Sequence, residues 1–245
     1  MYQVKIMSQY IKLDSAQRLN FNTTTASQFI LRANNVVFSG RYNLKSIFIP
    51  ITFYNVNVYN NQVFFTDNSG SHIAYITPGI YSTPTFMTAL GNAMTSIGSG
   101  SVYTVIKDPV TCCINIISSS SAFSFTFGTN QLNSSAIMMG YNSVDTPMSF
   151  SQQSQGMINL SQIRSFNISI NNINRVSNLN GIGYTFVIPV TNNIPSLMLY
   201  EPPPNYEQFI CFDSPTQTLN ISIYDDNHNL LQCFSDFYMI LQPTV

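Results

Sequence analysis

The chain has 245 residues, a formal net charge of −1 and 8% charged side chains, against 44% hydrophobic and 13% aromatic residues. An ordinary globular domain carries about 25% charged residues; here Asn and Ser fill the gap. Disordered chains have few aromatics and high net charge, so disorder is excluded, and the nine Lys and Arg form no run, which sets aside direct nucleic-acid binding through a basic patch.

The N-terminal run Val4–Leu13 has strand character. Lys5, Lys12 and Asp14 break its hydrophobicity, so no cleaved secretion signal is expected. No window approaches about 18 consecutive apolar residues, so no membrane span is expected. Further along lie short β-branched and aromatic runs, cut by Asn, Gly, Pro and Ser: Phe29–Phe38, Leu44–Thr52, Val63–Thr66 and Ile73–Thr77.

Residues 82–100 break the pattern. Phe86, Met87, Leu90, Met94 and Ile97 recur at helical spacing. Ser82 or Thr83 supplies the N-cap, Pro84 suits the first turn, and Gly98 and Gly100 end the segment. One amphipathic helix over about Thr83–Ile97 is therefore predicted.

Strand runs resume at Val102–Lys107, Cys112–Ile117, Phe123–Phe127, Tyr184–Val190, Gln208–Phe212 and Phe237–Leu241. Phe166, Ile168 and Ile170 alternate with Asn167 and Ser169, and Leu219, Ile221 and Ile223 with Asn220 and Ser222. Period two marks half-buried strands. Glu201-Pro202-Pro203-Pro204 reads as an extended, stiff connector. The fold class expected is all-β: an antiparallel β-sandwich with one amphipathic helix inserted, folded as one domain over 1–245.

Residues able to do chemistry are sparse. Two histidines, His72 and His228, and two glutamates, Glu201 and Glu207, are the main titratable candidates. No nucleophile elbow, zincin, phosphate loop or dinucleotide fingerprint occurs. The expectation is a chain that is not an enzyme, with no catalytic, cofactor-binding or metal site. Asp225, Asp226, Asn227 and Asn229 form the one oxygen-rich turn, but calcium-loop spacing is lacking, and a solvated hairpin built on Asx geometry is the better reading. Cys112, Cys113, Cys211 and Cys233 show no CxxC pairing, and neighbours on a strand face opposite ways, so buried free thiols are expected. Sequons at Asn22, Asn133, Asn159, Asn167 and Asn220 follow from composition. The aromatic and Asn-rich segment Phe53–Phe65 reads as a subunit interface or a glycan-binding surface.

The order of segments carries a resemblance. GRYNLKSIFIPITFYNVN (Gly40–Asn57) precedes YITPGIYSTPTFMTALGNAM (Tyr75–Met94); then come YTVIKDPVTCCINI (Tyr103–Ile116), SAFSFTF (Ser121–Phe127), SAIMMGY (Ser135–Tyr141) and LNISIYDDNHNLLQCFSDFYMILQ (Leu219–Gln242). This series resembles the small jelly-roll capsid proteins, penton or minor, of virophages, polinton-like viruses and related large DNA viruses. The resemblance implies a jelly roll and a structural role in an icosahedral capsid, assembled inside the host cell. It implies a homopentamer at each vertex, contact with a double-jelly-roll major capsid protein, and no catalytic residues. Two alternatives stand beside the vertex role: another minor capsid or cement position, or a glycan-binding, lectin-like fibre head.

Overall fold

The computed structural model describes residues 10–19, 28–32, 36–98, 100–161, 163–171, 173, 176–177, 183–191, 195–231 and 235–244. The chain opens with strands β1 (Ile11–Asp14), β2 (Gln28–Arg32) and the long β3 (Phe38–Ile51). It continues through β4 (Gln62–Asp67), β5 (Gly70–Tyr75), helix α1 (Thr83–Ile97), β6 (Tyr103–Lys107), β7 (Cys113–Ser118), β8 (Ser124–Phe125) and β9 (Ser151–Met157). The last stretch holds β10 (Ser165–Ile170), β11 (Val176–Ser177), β12 (Gly183–Tyr184), β13 (Phe186–Pro189) and β14 (Ser196–Tyr200). It closes with β15 (Phe209–Thr216), β16 (Thr218–Tyr224) and β17 (Tyr238–Pro243).

The chain divides into two compact units: residues 1–53 with 163–245, and residues 54–162. Each has its own hydrophobic core.

In the first unit the strands pair as a hairpin rolled upon itself. β1 pairs β17, β2 pairs β16, β3 pairs both β14 and β15, and β10 pairs β13, all antiparallel. Two further pairings, β17 with β3 and β10 with β16, close the roll. The result is a sheet β1-β17-β3-β14, with β15 also on β3, and a sheet β13-β10-β16-β2. This is jelly-roll connectivity: nested first-to-last pairs split between two sheets. Ile47, Ile49, Met198 and Met239 from one sheet, and Phe166, Ile168, Ile221 and Ile223 from the other, share the core. The Pro-rich connector separates β14 from β15 and ends in a turn, where the Tyr206 N–H donates to the Pro203 carbonyl at 2.9 Å.

The edge of β13 is closed by a side chain. Gln208 donates from Nε2 to the Val187 carbonyl (2.9 Å) and accepts from the Val187 N–H at Oε1 (3.2 Å), standing in for a neighbouring strand. On β10 the expected alternation fails: Asn167 and Ser169 are buried along with Phe166, Ile168 and Ile170. For Asn167 the reason is the Asp225–Asn229 turn. The Asn167 amide donates to the Asp225 carbonyl (2.8 Å), and the Asp226 carboxylate accepts from the Arg164 N–H and the Ser165 hydroxyl.

The second unit contains two three-stranded sheets, β5-β4-β8 and β6-β7-β9, and α1. The helix spans the predicted residues. Ser82 Oγ accepts from the Thr85 N–H (3.4 Å), and Thr85 Oγ1 accepts from the Ser82 N–H (2.9 Å), a reciprocal capping box. Phe86, Leu90 and Met94 face the core, whereas Ile97 is exposed. A Cβ on Gly91 would lie 2.7 Å from the Tyr103 carbonyl, so glycine there lets the helix approach the β6 backbone. Phe65, Tyr103, Phe123, Phe125, Phe127 and Tyr141 fill the space beneath.

Candidate assembly surfaces

His72, His228 and Glu207 make contacts with neighbouring side chains. His72 Nε2 meets Asp67 Oδ1 at 2.9 Å and Ser69 Oγ at 3.0 Å. A proton relay needs its two partners on opposite ring nitrogens; here both reach the same one, and the group clamps the β4–β5 hairpin turn. Tyr103 donates to Asp67 Oδ2 (3.1 Å), and burial together with that carboxylate pushes its phenol up to about 12. Glu207 pairs with Arg41 at 2.8 Å on the surface, and Glu201 is exposed in the connector. His228 stacks on Tyr224, with ring centroids 4.4 Å apart, and bonds the Tyr184 hydroxyl at 2.9 Å.

The Asp225 carboxylate is occupied by its own turn, accepting from the Asn227 and Asn229 N–H groups (2.9 and 2.8 Å) and the Asn229 amide (3.1 Å). His228 adopts φ +63° within that turn. Cys112, Cys113 and Cys211 are free thiols, but half-buried rather than buried; Cys112 sits at φ +57° in the turn before β7, outside any strand. Cys233 and Asn22 lie outside the described residues.

The segment Phe53–Phe65 requires correction as a surface. Phe53, Val56, Val63, Phe64 and Phe65 are buried in the protein's own cores. Its asparagines build turns. Asn55 grips the Tyr81 backbone, donating to its carbonyl (2.8 Å) and accepting from its N–H (2.9 Å), and Asn61 donates to the Ile76 carbonyl (3.0 Å). Among its apolar residues, Val58 and Tyr59 are exposed, at the tip of the turn.

A broader surface comes from register, which the sequence reading did not reach. On the outer face of the β1-β17-β3-β14 sheet, Asp14, Tyr238, Phe48 and Leu199 lie opposite one another in a row across four strands. Lys12, Ile240 and Ser46 form the next row, and Pro50 faces Leu197. Phe48 and Tyr238 stack with centroids 5.1 Å apart. Leu197 and Leu199 are 52% and 58% exposed. Lys12 pairs with Asp14 at 2.8 Å and covers the Tyr238 ring at 4.4 Å, and Lys45 stands exposed at the β3 bulge beside Ser46. Exposed Leu197 and Leu199, with half-buried Phe48, Pro50 and Tyr238 beside them, make this face a candidate interaction surface. The signal in the sequence was SLMLY, a strand apolar on both faces.

The outer face of the second sheet is polar but weakly charged. Gln28, Ile30 and Arg32 project from β2, with Asn220, Ser222 and Tyr224 beside them on β16. Ile30 is 38% exposed, and Arg32 stands at the end of the row.

No family model and no curated protein matches this chain. Among solved structures, that of the selenomethionine-labelled mavirus penton protein aligns over 97% of this chain and 100% of that chain, with 10% identity and a TM-score of 0.48.

Proposed function

We propose that this chain is a non-catalytic structural subunit of an icosahedral virus capsid, standing in five copies at each vertex beside double-jelly-roll major capsid subunits. The observation that carries the reading is the complete jelly-roll pairing of the first unit, an architecture used by viral capsid domains. The outer sheet faces add to it: uncharged side chains predominate there and Leu197 and Leu199 stay exposed, as suits a subunit buried among others. The order of sequence segments points the same way. The protein would act in the virion, after assembly inside the host cell. Among the described residues, no helix is long and apolar enough to cross a membrane.

Jelly rolls also serve as lectins, so the test separates the two. Electron microscopy of the purified chain should show five-fold rings, and co-expression with the major capsid protein should place them at particle vertices. Single subunits that bind a glycan array and never enter particles would replace the capsid role with sugar recognition.

A further inference from the structure

β1 is the end strand of one sheet of the first unit, and β2 is the end strand of the other. A cavity of about 130 Å³ opens between them. Its walls are apolar: Leu13 from β1, Leu31 from β2, Phe38 from β3 and Leu219 from β16 are buried there, and half-buried Val36 lies beside them. Lys12, Asp14, Gln17 and Arg32 form the polar rim. We infer that this cleft captures the C-terminal residue of a partner polypeptide, with an apolar side chain in the cavity and the α-carboxylate on Arg32.

Size limits the occupant. An apolar cavity of about 150 Å³ takes a molecule as small as benzene, whereas drug-sized ligands fill roughly 300–1,000 Å³. A single side chain of the size of Leu matches the space.

Charge selects what accompanies it. Lys12 is neutralised by Asp14 at 2.8 Å, and Asp14 also accepts from the Ala16 N–H at 3.1 Å. The other ion pairs among the described residues lie elsewhere: Arg18 with Asp236, Arg41 with Glu207 and His72 with Asp67. Arg32 is exposed and, among the described residues, has no acid of its own. It is the surplus charge of the rim, and its planar fork suits a carboxylate. Arg32 directly follows Leu31, so the cation stands within one residue of the apolar wall. In an extended peptide, neighbouring side chains point opposite ways. An acidic side chain next to the buried one would therefore turn away from Arg32. A last residue carries its α-carboxylate and its apolar group together.

Fluorescence anisotropy tests this, with labelled peptides titrated against the full-length chain. The probes are Gly-Ser-Gly-Ser-Leu with a free C-terminal carboxylate, its C-terminal amide, and the same acid ending in Ala. The Leu acid should bind saturably, and the amide and the Ala acid at least about tenfold more weakly. Arg32→Gln should weaken the Leu acid about tenfold and leave the amide unchanged. Val36→Phe, which fills the cavity, should abolish binding. Far-UV circular dichroism checks each fold, and Arg32→Gln alters only an exposed side chain, so the test stands without Val36→Phe. No saturable binding, equal binding of acid and amide, or full binding by Arg32→Gln would overturn the inference. N-acetyl-leucine competing as well as the whole peptide would replace the polypeptide with a small organic acid. An amidated peptide with an internal Leu and Asp that binds as tightly would replace the C-terminus with an internal segment. Either result also overturns the inference, and none of them bears on the capsid role.

Discussion

Amide side chains do work in this protein that charged groups do elsewhere. Asn55 clasps both backbone groups of Tyr81, Asn61 secures Ile76, and Gln208 closes the edge of β13. Replacing Asn55 by Ala strands two backbone partners and should cost about 1–3 kcal/mol. Tyr59→Asp, at an exposed turn tip, should change stability by less than about 0.5 kcal/mol. Urea denaturation of the two variants beside wild type checks the contrast; equal losses would mean that Tyr59 packs on something. The few exposed carboxylates act locally. Thr129, through its hydroxyl and N–H, holds Asp145 below the usual carboxylate range, and the Thr111 N–H and hydroxyl, with the Val110 N–H, do the same for Asp108. Because both are depressed in the folded state, their contribution is present above the unfolded value, ~3.9, and lost as pH falls through the folded values. The melting temperature should therefore be insensitive to these groups at neutral pH and fall on the acid side of that range, with a smaller acid-side fall in Thr129→Val.

At the scale of elements, α1 shows how a sequence becomes a packed helix. Leu90 is fully buried and Ile97 exposed, although both belong to the same helical repeat. Leu90→Ala should cost about 2–5 kcal/mol, and Ile97→Ala less than about 1 kcal/mol, read by thermal or chemical unfolding. The helix was legible because its spacing, cap and terminal glycine all agreed. Most strands were legible from alternation, β16 being the clearest. Ser151–Met157 (β9) was not, because Gln152 and Ser154 fill its inward positions and give no hydrophobic signal. Nor was the burial of Asn167, which depends on a turn some sixty residues away folding over it. The candidate surface was missed for a related reason. Tyr238, Phe48 and Leu199 are far apart in the chain, and only strand register aligns them. Conversely, Phe53–Phe65 has the composition of an interface, yet its aromatics serve the protein's own cores.

For the molecule as a whole, the sparse charge limits how subunits of the proposed ring could meet. With 8% charged residues, few ion pairs are available to cross an interface, and apolar burial and amide hydrogen bonds remain. Such contacts depend weakly on salt, whereas exposed ion pairs are screened to within about 3 Å at 1 M. The chain also builds two separate cores, one in residues 1–53 and 163–245 and another in 54–162. The most direct test is the mass of the purified chain by light scattering, over a range of concentrations and from low salt to about 1 M. The expected result is five times the 27.4 kDa chain mass at every salt concentration. A single-chain mass at all concentrations, or a ring that falls apart as salt rises, would contradict the account.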